Sequence, residues 1–74
     1  MTERDLQVLV GQAIRARRLA LGISQDKFAE KLGMHRSYYG HLERGRWNIT
    51  VQTLVRVAEG LGVTAASLLQ DADI

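Results

Sequence analysis

Between Gln25 and Leu42 the chain runs Gln-Asp-Lys-Phe-Ala-Glu-Lys-Leu-Gly-Met-His-Arg-Ser-Tyr-Tyr-Gly-His-Leu, and its spacing leaves few folds open. Ala29 stands four residues after Gln25, Gly33 four after Ala29, Tyr39 six further on, and Leu42 three beyond. The run reads as two short helices with a forced turn between them. Helices that cross steeply need a small side chain at their contact, which Ala29 supplies. The turn needs positive φ, which Gly33 adopts without steric cost. At roughly 100° per residue, Tyr39 and Leu42 of the second helix point inward, with Tyr38 and Glu43 at the boundaries. Ser37, Gly40 and Arg44 centre the opposite face, flanked by Arg36 and His41.

Helix punctuation recurs along the rest of the chain. Ile23-Ser24 is followed by Phe28, Ile49-Thr50 by Leu54, and Val63-Thr64 by Leu68. Each is an apolar residue, a hydroxyl cap, then an apolar residue four past the cap, the arrangement of a hydrophobic staple. Met34-His35 with Tyr39 repeats it with a weaker cap. A first helix is expected from Glu3 to Leu21, capped by Thr2, with Leu6, Val10, Ile14 and Leu21 facing inward. Gly22, Gly33, Gly45 and Gly62 fall where helices should end. Gly11 and Gly60 fall inside helices, where glycine costs up to ~1 kcal/mol. Either they permit close packing, or the first helix frays before Gly11. No β-type alternation occurs, so the expectation is an all-α domain of five short helices spanning residues 1–74.

Composition narrows the function. With 74 residues and no cysteine, neither a disulfide framework nor a thiolate metal site is available, and two histidines are too few for a zinc site. No apolar stretch approaches a membrane span and no signal peptide is visible, which points to the cytoplasm. Net charge is only +2, but residues 15–46 hold eight Lys/Arg against three acids. Positive charge thus gathers around the two-helix unit, about residues 24–44, as a polyanion partner requires. A small-sided crossing, a glycine turn and a polar second helix within a basic surround are the layout of a DNA-reading helix-turn-helix.

Longer blocks then resemble the phage-repressor (Xre-like) helix-turn-helix family: Ile14-Arg15-x-x-Arg18, Leu21-Gly22-Ile23-Ser24-Gln25, Phe28-Ala29, Leu32-Gly33, Leu42-Glu43-Arg44-Gly45, and Leu54-x-x-Val57-Ala58-x-x-Leu61-Gly62-Val63. Arg36-Ser37-Tyr38-Tyr39 with Leu42-Glu43-Arg44-Gly45 also resembles the small controller proteins of restriction–modification systems. The resemblance implies a compact five-helix, lambda-repressor-like fold with helices 2 and 3 as the DNA-binding unit. It further implies a buried ion pair between Arg18 and Glu43. Two positions depart from the family. Tyr39 stands where a β-branched aliphatic residue is usual, so the pocket must be roomier or the ring must tilt. Gly40 replaces a side chain that often helps read DNA.

On this reading Arg36, Ser37, Gly40 and His41 are the candidates for contact with bases. An arginine can donate two hydrogen bonds to guanine O6 and N7, worth about 1–3 kcal/mol of discrimination. Arg36 and Ser37 have phosphate contact as their alternative, and Gly40 either brings backbone close to the groove or is a plain surface glycine. Gln25 stands at a helix N-terminus, where N–H groups and the helix dipole attract a phosphate. Tyr38, Arg44, Arg46, Trp47 and Asn48 complete the phosphate-contact set; Tyr38 and Trp47 could equally pack on the core, and Trp47 in a subunit interface. Asp26 and Glu30 resemble in position the acidic patch with which the phage lambda repressor touches RNA polymerase; the plain alternative is ordinary surface acid.

The resulting expectation is a transcription regulator that binds palindromic double-stranded DNA as a homodimer, possessing no cofactor and acting on the controller pattern as activator and repressor. Val51, Val55, Leu68, Leu69 and Ile74, within residues 50–74, are apolar beyond what one small core needs and are assigned to the dimer contact. A stand-alone or phage-type repressor and an antitoxin-like protein-binding module are the rivals. Catalysis is excluded because Ser37, His41 and Glu43 point in different directions around one helix.

Overall fold

The computed structural model describes residues 1–74, and the helices begin where side chains can satisfy their first N–H groups. Thr2 opens α1 (Glu3–Ala20) with a capping box: its hydroxyl accepts from the Asp5 N–H, and the Asp5 carboxylate accepts from the Thr2 N–H. Ser24, Thr50 and Thr64 accept from the N–H groups of Lys27, Thr53 and Ser67 and open α2 (Gln25–Leu32), α4 (Val51–Leu61) and α5 (Ala65–Asp71). His35 opens α3 (Arg36–Glu43) with extended backbone but no side-chain bond. Gly33 closes α2 in the left-handed conformation at φ 69°, which makes the turn into α3.

Every helix contributes to one core: Val10, Ala13 and Ile14 from α1, Phe28 and Ala29 from α2, Tyr39 from α3, four residues of α4, and Leu68 with Ala72 at the end of α5. The first helix crosses α3, α4 and α5, while α2 lies on α3 and α4. Gly11 marks the crossing of α1 and α3. A Cβ there would meet the carbonyl oxygens of Leu42, at 2.7 Å, and Glu43. The helix runs unbroken through Gly11, so its glycine serves approach and not fraying. Gly60 does the same for α4 over α2, with Leu32 Cδ2 2.6 Å from where a Cβ would stand. No helix is long and apolar enough to cross a membrane.

Three expected positions are corrected. Leu21 is 56% exposed because α1 stops at Ala20 and Gly22 turns the chain, leaving Ile23 to pack against the core. Leu6 is 38% exposed, since the start of α1 overhangs the core. Leu68 is completely buried by its own chain, where the fourth residue past the Thr64 cap packs inward, so it leaves the set of dimer candidates. Val51, Val55 and Ile74 are exposed, and Leu69 is half-buried beside them.

Candidate nucleic-acid interface

The orientation of α3 is set by a buried polar cluster. Arg18 on α1 donates through Nε and Nη2 to the two carboxylate oxygens of Glu43, at 2.6 and 3.0 Å, and through Nη1 to the Ile23 carbonyl at 2.8 Å. Gln25, first residue of α2, donates from Nε2 to Glu43 Oε1 at 3.0 Å, and the Tyr39 hydroxyl donates to Oε2. One carboxylate therefore ties α1, α2 and α3 together. Burial alone would raise the Glu43 carboxyl, but the bonds from Arg18, Tyr39 and Gln25 outweigh it and hold its pKa below the usual range. The bond to Glu43 raises Arg18 despite desolvation, so the pair stays charged. Burial, then the neighbouring carboxylate, raises the Tyr39 phenol and keeps it a donor.

Tyr39 also answers the departure from the family. Its ring stands edge-on to Phe28, with centroids 5.3 Å apart and planes at 74°, and its hydroxyl finds an acceptor in Glu43. An aromatic fits this pocket because its polar end has somewhere to go.

Outside the cluster, α3 presents its polar face. Arg36 and Ser37 are exposed, and Arg36 reaches back to Asp26 at 3.4 Å, a solvent-washed pair that contributes little and releases easily. Glu30 is exposed one turn beyond Asp26. His41 stacks on Trp47, with ring centroids 4.8 Å apart, and Tyr38 leans on the other part of the indole at 5.5 Å. Trp47 is thus neither core nor free loop: it is half-exposed and braces the outer edge of α3. The stacking leaves His41 Nδ1 buried without a partner, so His41 can offer only Nε2 outward.

Two expected contacts sit differently. Gly40 is not bare surface; the guanidinium of Arg44 covers it, 3.0 Å from where a Cβ would stand. Asn48 is turned to α1, donating to Glu3 at 2.7 Å and accepting from Gln7, so its amide braces the helix start. Arg15, conversely, joins the site although the helix pattern does not single it out. It shares an open cleft of about 550 Å³ with Gln12, Gln25, Arg44 and Arg46, and a second cleft joins Arg44 and Arg46 to Arg4. The excess of cations over residues 15–46 held the signal, but only the fold brings Arg4 and Arg15 beside the end of α3.

A glycine-turned helix pair, braced from behind and flanked by unpaired cations, defines a helix-turn-helix DNA-binding domain. Residues 14–68 match the helix-turn-helix family HTH_3, of Xre type, and the chain belongs to that family of DNA-binding transcription regulators, which are not enzymes. A hypothetical transcription factor of Neisseria meningitidis is 37% identical over 90% of this chain, which spans 63% of that relative's length. Among solved structures, the clp gene regulator ClgR of Corynebacterium glutamicum superposes with a TM-score of 0.88 at 31% identity, covering 92% of this chain and 88% of that one. The restriction–modification controller protein C.AhdI of Aeromonas hydrophila gives 0.80 at 35% identity, covering 84% of this chain and 94% of that one.

Proposed function

We propose that this protein is a sequence-specific regulator that binds a palindromic operator as a homodimer, with α3 in the major groove. The observation that carries the reading is the outward face of α3 continuous with a cleft of Arg15, Gln25, Arg44 and Arg46. Bases face Arg36 and Ser37, with His41 presenting Nε2 beside them, while Arg44 lies in the cationic cleft at the end of α3. The DNA backbone follows the cationic cleft, meeting Gln25 at the N-terminus of α2, Tyr38 on the near edge of α3, and Arg46 and Trp47 beyond it. A restriction–modification controller is the finer assignment, supported by the likeness to C.AhdI over nearly that protein's whole length.

Dimerisation falls to Val51, Val55, Leu69 and Ile74. Leu69 and Ile74 line an apolar groove with Leu6 and Ile49, and Val51 and Val55 are exposed on one face of α4. A two-fold dimer would read half-sites about 34 Å apart, one turn of the duplex. Asp26 and Glu30 stand beside the reading helix and supply the polymerase contact of an activator.

Selection of bound sites from a random DNA pool, with the mass of the complex measured alongside, tests the reading. The expected result is one palindrome, two chains per site, and affinity that falls steeply with salt. A monomer on DNA, or no enriched sequence, overturns it. Asp26→Asn with Glu30→Gln should abolish activation while leaving operator affinity unchanged; a double variant that activates normally shows the two acids to be ordinary surface charge.

A further inference from the structure

Between α3 and α4 the backbone of residues 47–49 makes no hydrogen bond to other backbone. The last such bond before it runs from the Arg46 N–H to the His41 carbonyl at 3.0 Å, and the next is accepted by the Thr50 carbonyl from Leu54 at 2.9 Å. Side chains and close approach therefore set the shape of this loop. Gly45, left-handed at φ 72°, lies so near α1 that a Cβ would stand 2.6 Å from the Val8 Cα. Three residues on, Asn48 engages α1 with both ends of its amide. Nδ2 donates to Glu3 Oε1 at 2.7 Å, and Oδ1 accepts from Gln7 Nε2. Glu3 and Gln7 stand one helical turn apart, so the planar amide is fitted between two neighbouring side chains.

Arg46 rides on the segment between these two attachments. It lines both cationic clefts, beside Arg15 and Gln25 in one and Arg4 in the other, and it forms no ion pair. Asn48 lines neither cleft; it faces the apolar groove of Leu6 and Ile49. A cation on a loop that must first be ordered binds more weakly, because association then bears the ordering entropy. We propose that Asn48 is a positioning residue for DNA binding: closed on Glu3 and Gln7, it holds Arg46 in place for the DNA backbone and touches no DNA itself. The assignment rests on Arg46 meeting the DNA backbone as argued above.

Glu3 separates this role from a direct contact by sign. On charge alone, removing an acid should strengthen binding to a polyanion. Removing a support of the loop should weaken it. Affinities of the wild type, Asn48→Ala, Glu3→Ala and the double variant are measured on the selected operator duplex and on a duplex of scrambled sequence. Asn48→Ala should bind both about three- to tenfold more weakly. Glu3→Ala should also bind both more weakly, and the double variant no more weakly than Asn48→Ala, since both changes cut one attachment. Glu3 and Asn48 are exposed, so melting midpoints should stay within about 4 °C of the wild type, with sedimentation unchanged. Equal or tighter binding by Glu3→Ala, with Asn48→Ala weaker, identifies a direct phosphate contact and overturns the proposal. Wild-type affinity in Asn48→Ala overturns it too, because the loop then keeps its shape without the amide. A larger fall in midpoint marks a tie of the fold alone, and altered sedimentation moves the loss to a subunit contact; either removes the positioning role. A wild type that binds neither duplex removes the DNA-binding reading first, whereas a wild type that binds beside unaffected variants removes this assignment alone.

Discussion

Four donated bonds converge on the one buried carboxylate of Glu43, so a change at this residue touches α1, α2 and α3 at once. Breaking a buried pair from one side typically costs about 3–5 kcal/mol, whereas a domain of this length has about 4–11 kcal/mol in total. Glu43→Gln should therefore lower the melting midpoint by more than about 10 °C; an unchanged midpoint in calorimetry would remove the cluster from the stability account. Tyr39→Phe deletes one of the four bonds and should cost about 1.5–3 kcal/mol, read by urea denaturation. The pH dependence follows from the depressed carboxyl. Glu43 binds its proton less readily folded than unfolded, so its contribution is complete above the ordinary carboxylate pKa. It is lost as pH falls through the lower folded value. Acid titration of stability should show that limb in the wild type and lack it in Glu43→Gln.

Among the helices, α3 alone begins without a side-chain cap, although His35 has the extended backbone a cap requires. His35→Ser should raise stability by about 1 kcal/mol, checked by thermal melting. Gly11→Ala should act oppositely and more strongly, because its Cβ would meet backbone carbonyls of α3 that cannot step aside. A midpoint at or above that of the wild type would show that α1 can shift on α3. The same comparison explains what was legible in the sequence. Ser24, Thr50, Thr64 and Gly33 announced the helix ends because each acts within four residues of itself. Leu21 and Leu68 were misplaced because burial depends on which helix arrives to cover them. The polar turns of Gly40 and Asn48 were hidden for a related reason: a helical wheel shows the direction of a residue, not the Arg44 or Glu3 that meets it there. Arg18 and Glu43 were found only through the family resemblance, since 25 residues separate them.

For the assembled molecule, the proposed homodimer makes its own demand. Val51→Lys with Val55→Lys replaces exposed side chains, so folding should change by no more than about 0.5 kcal/mol per site. Sedimentation should nevertheless show a monomer, and binding to a full palindrome should fall to that of a single half-site. A double variant that still sediments as a dimer would take the exposed face of α4 out of the interface and leave it to the groove of Leu69 and Ile74. At 32 × 22 × 20 Å, the domain turns two opposite sides of α3 to two separate tasks. Tyr39, Leu42 and Glu43 hold the fold from within, while Arg36, Ser37 and Arg44 touch little that the fold depends on. A duplicated gene could therefore exchange its outward residues one at a time and never pass through a chain that fails to fold. If Arg36 and Ser37 read the operator as proposed, new operators lie within single steps of the old one.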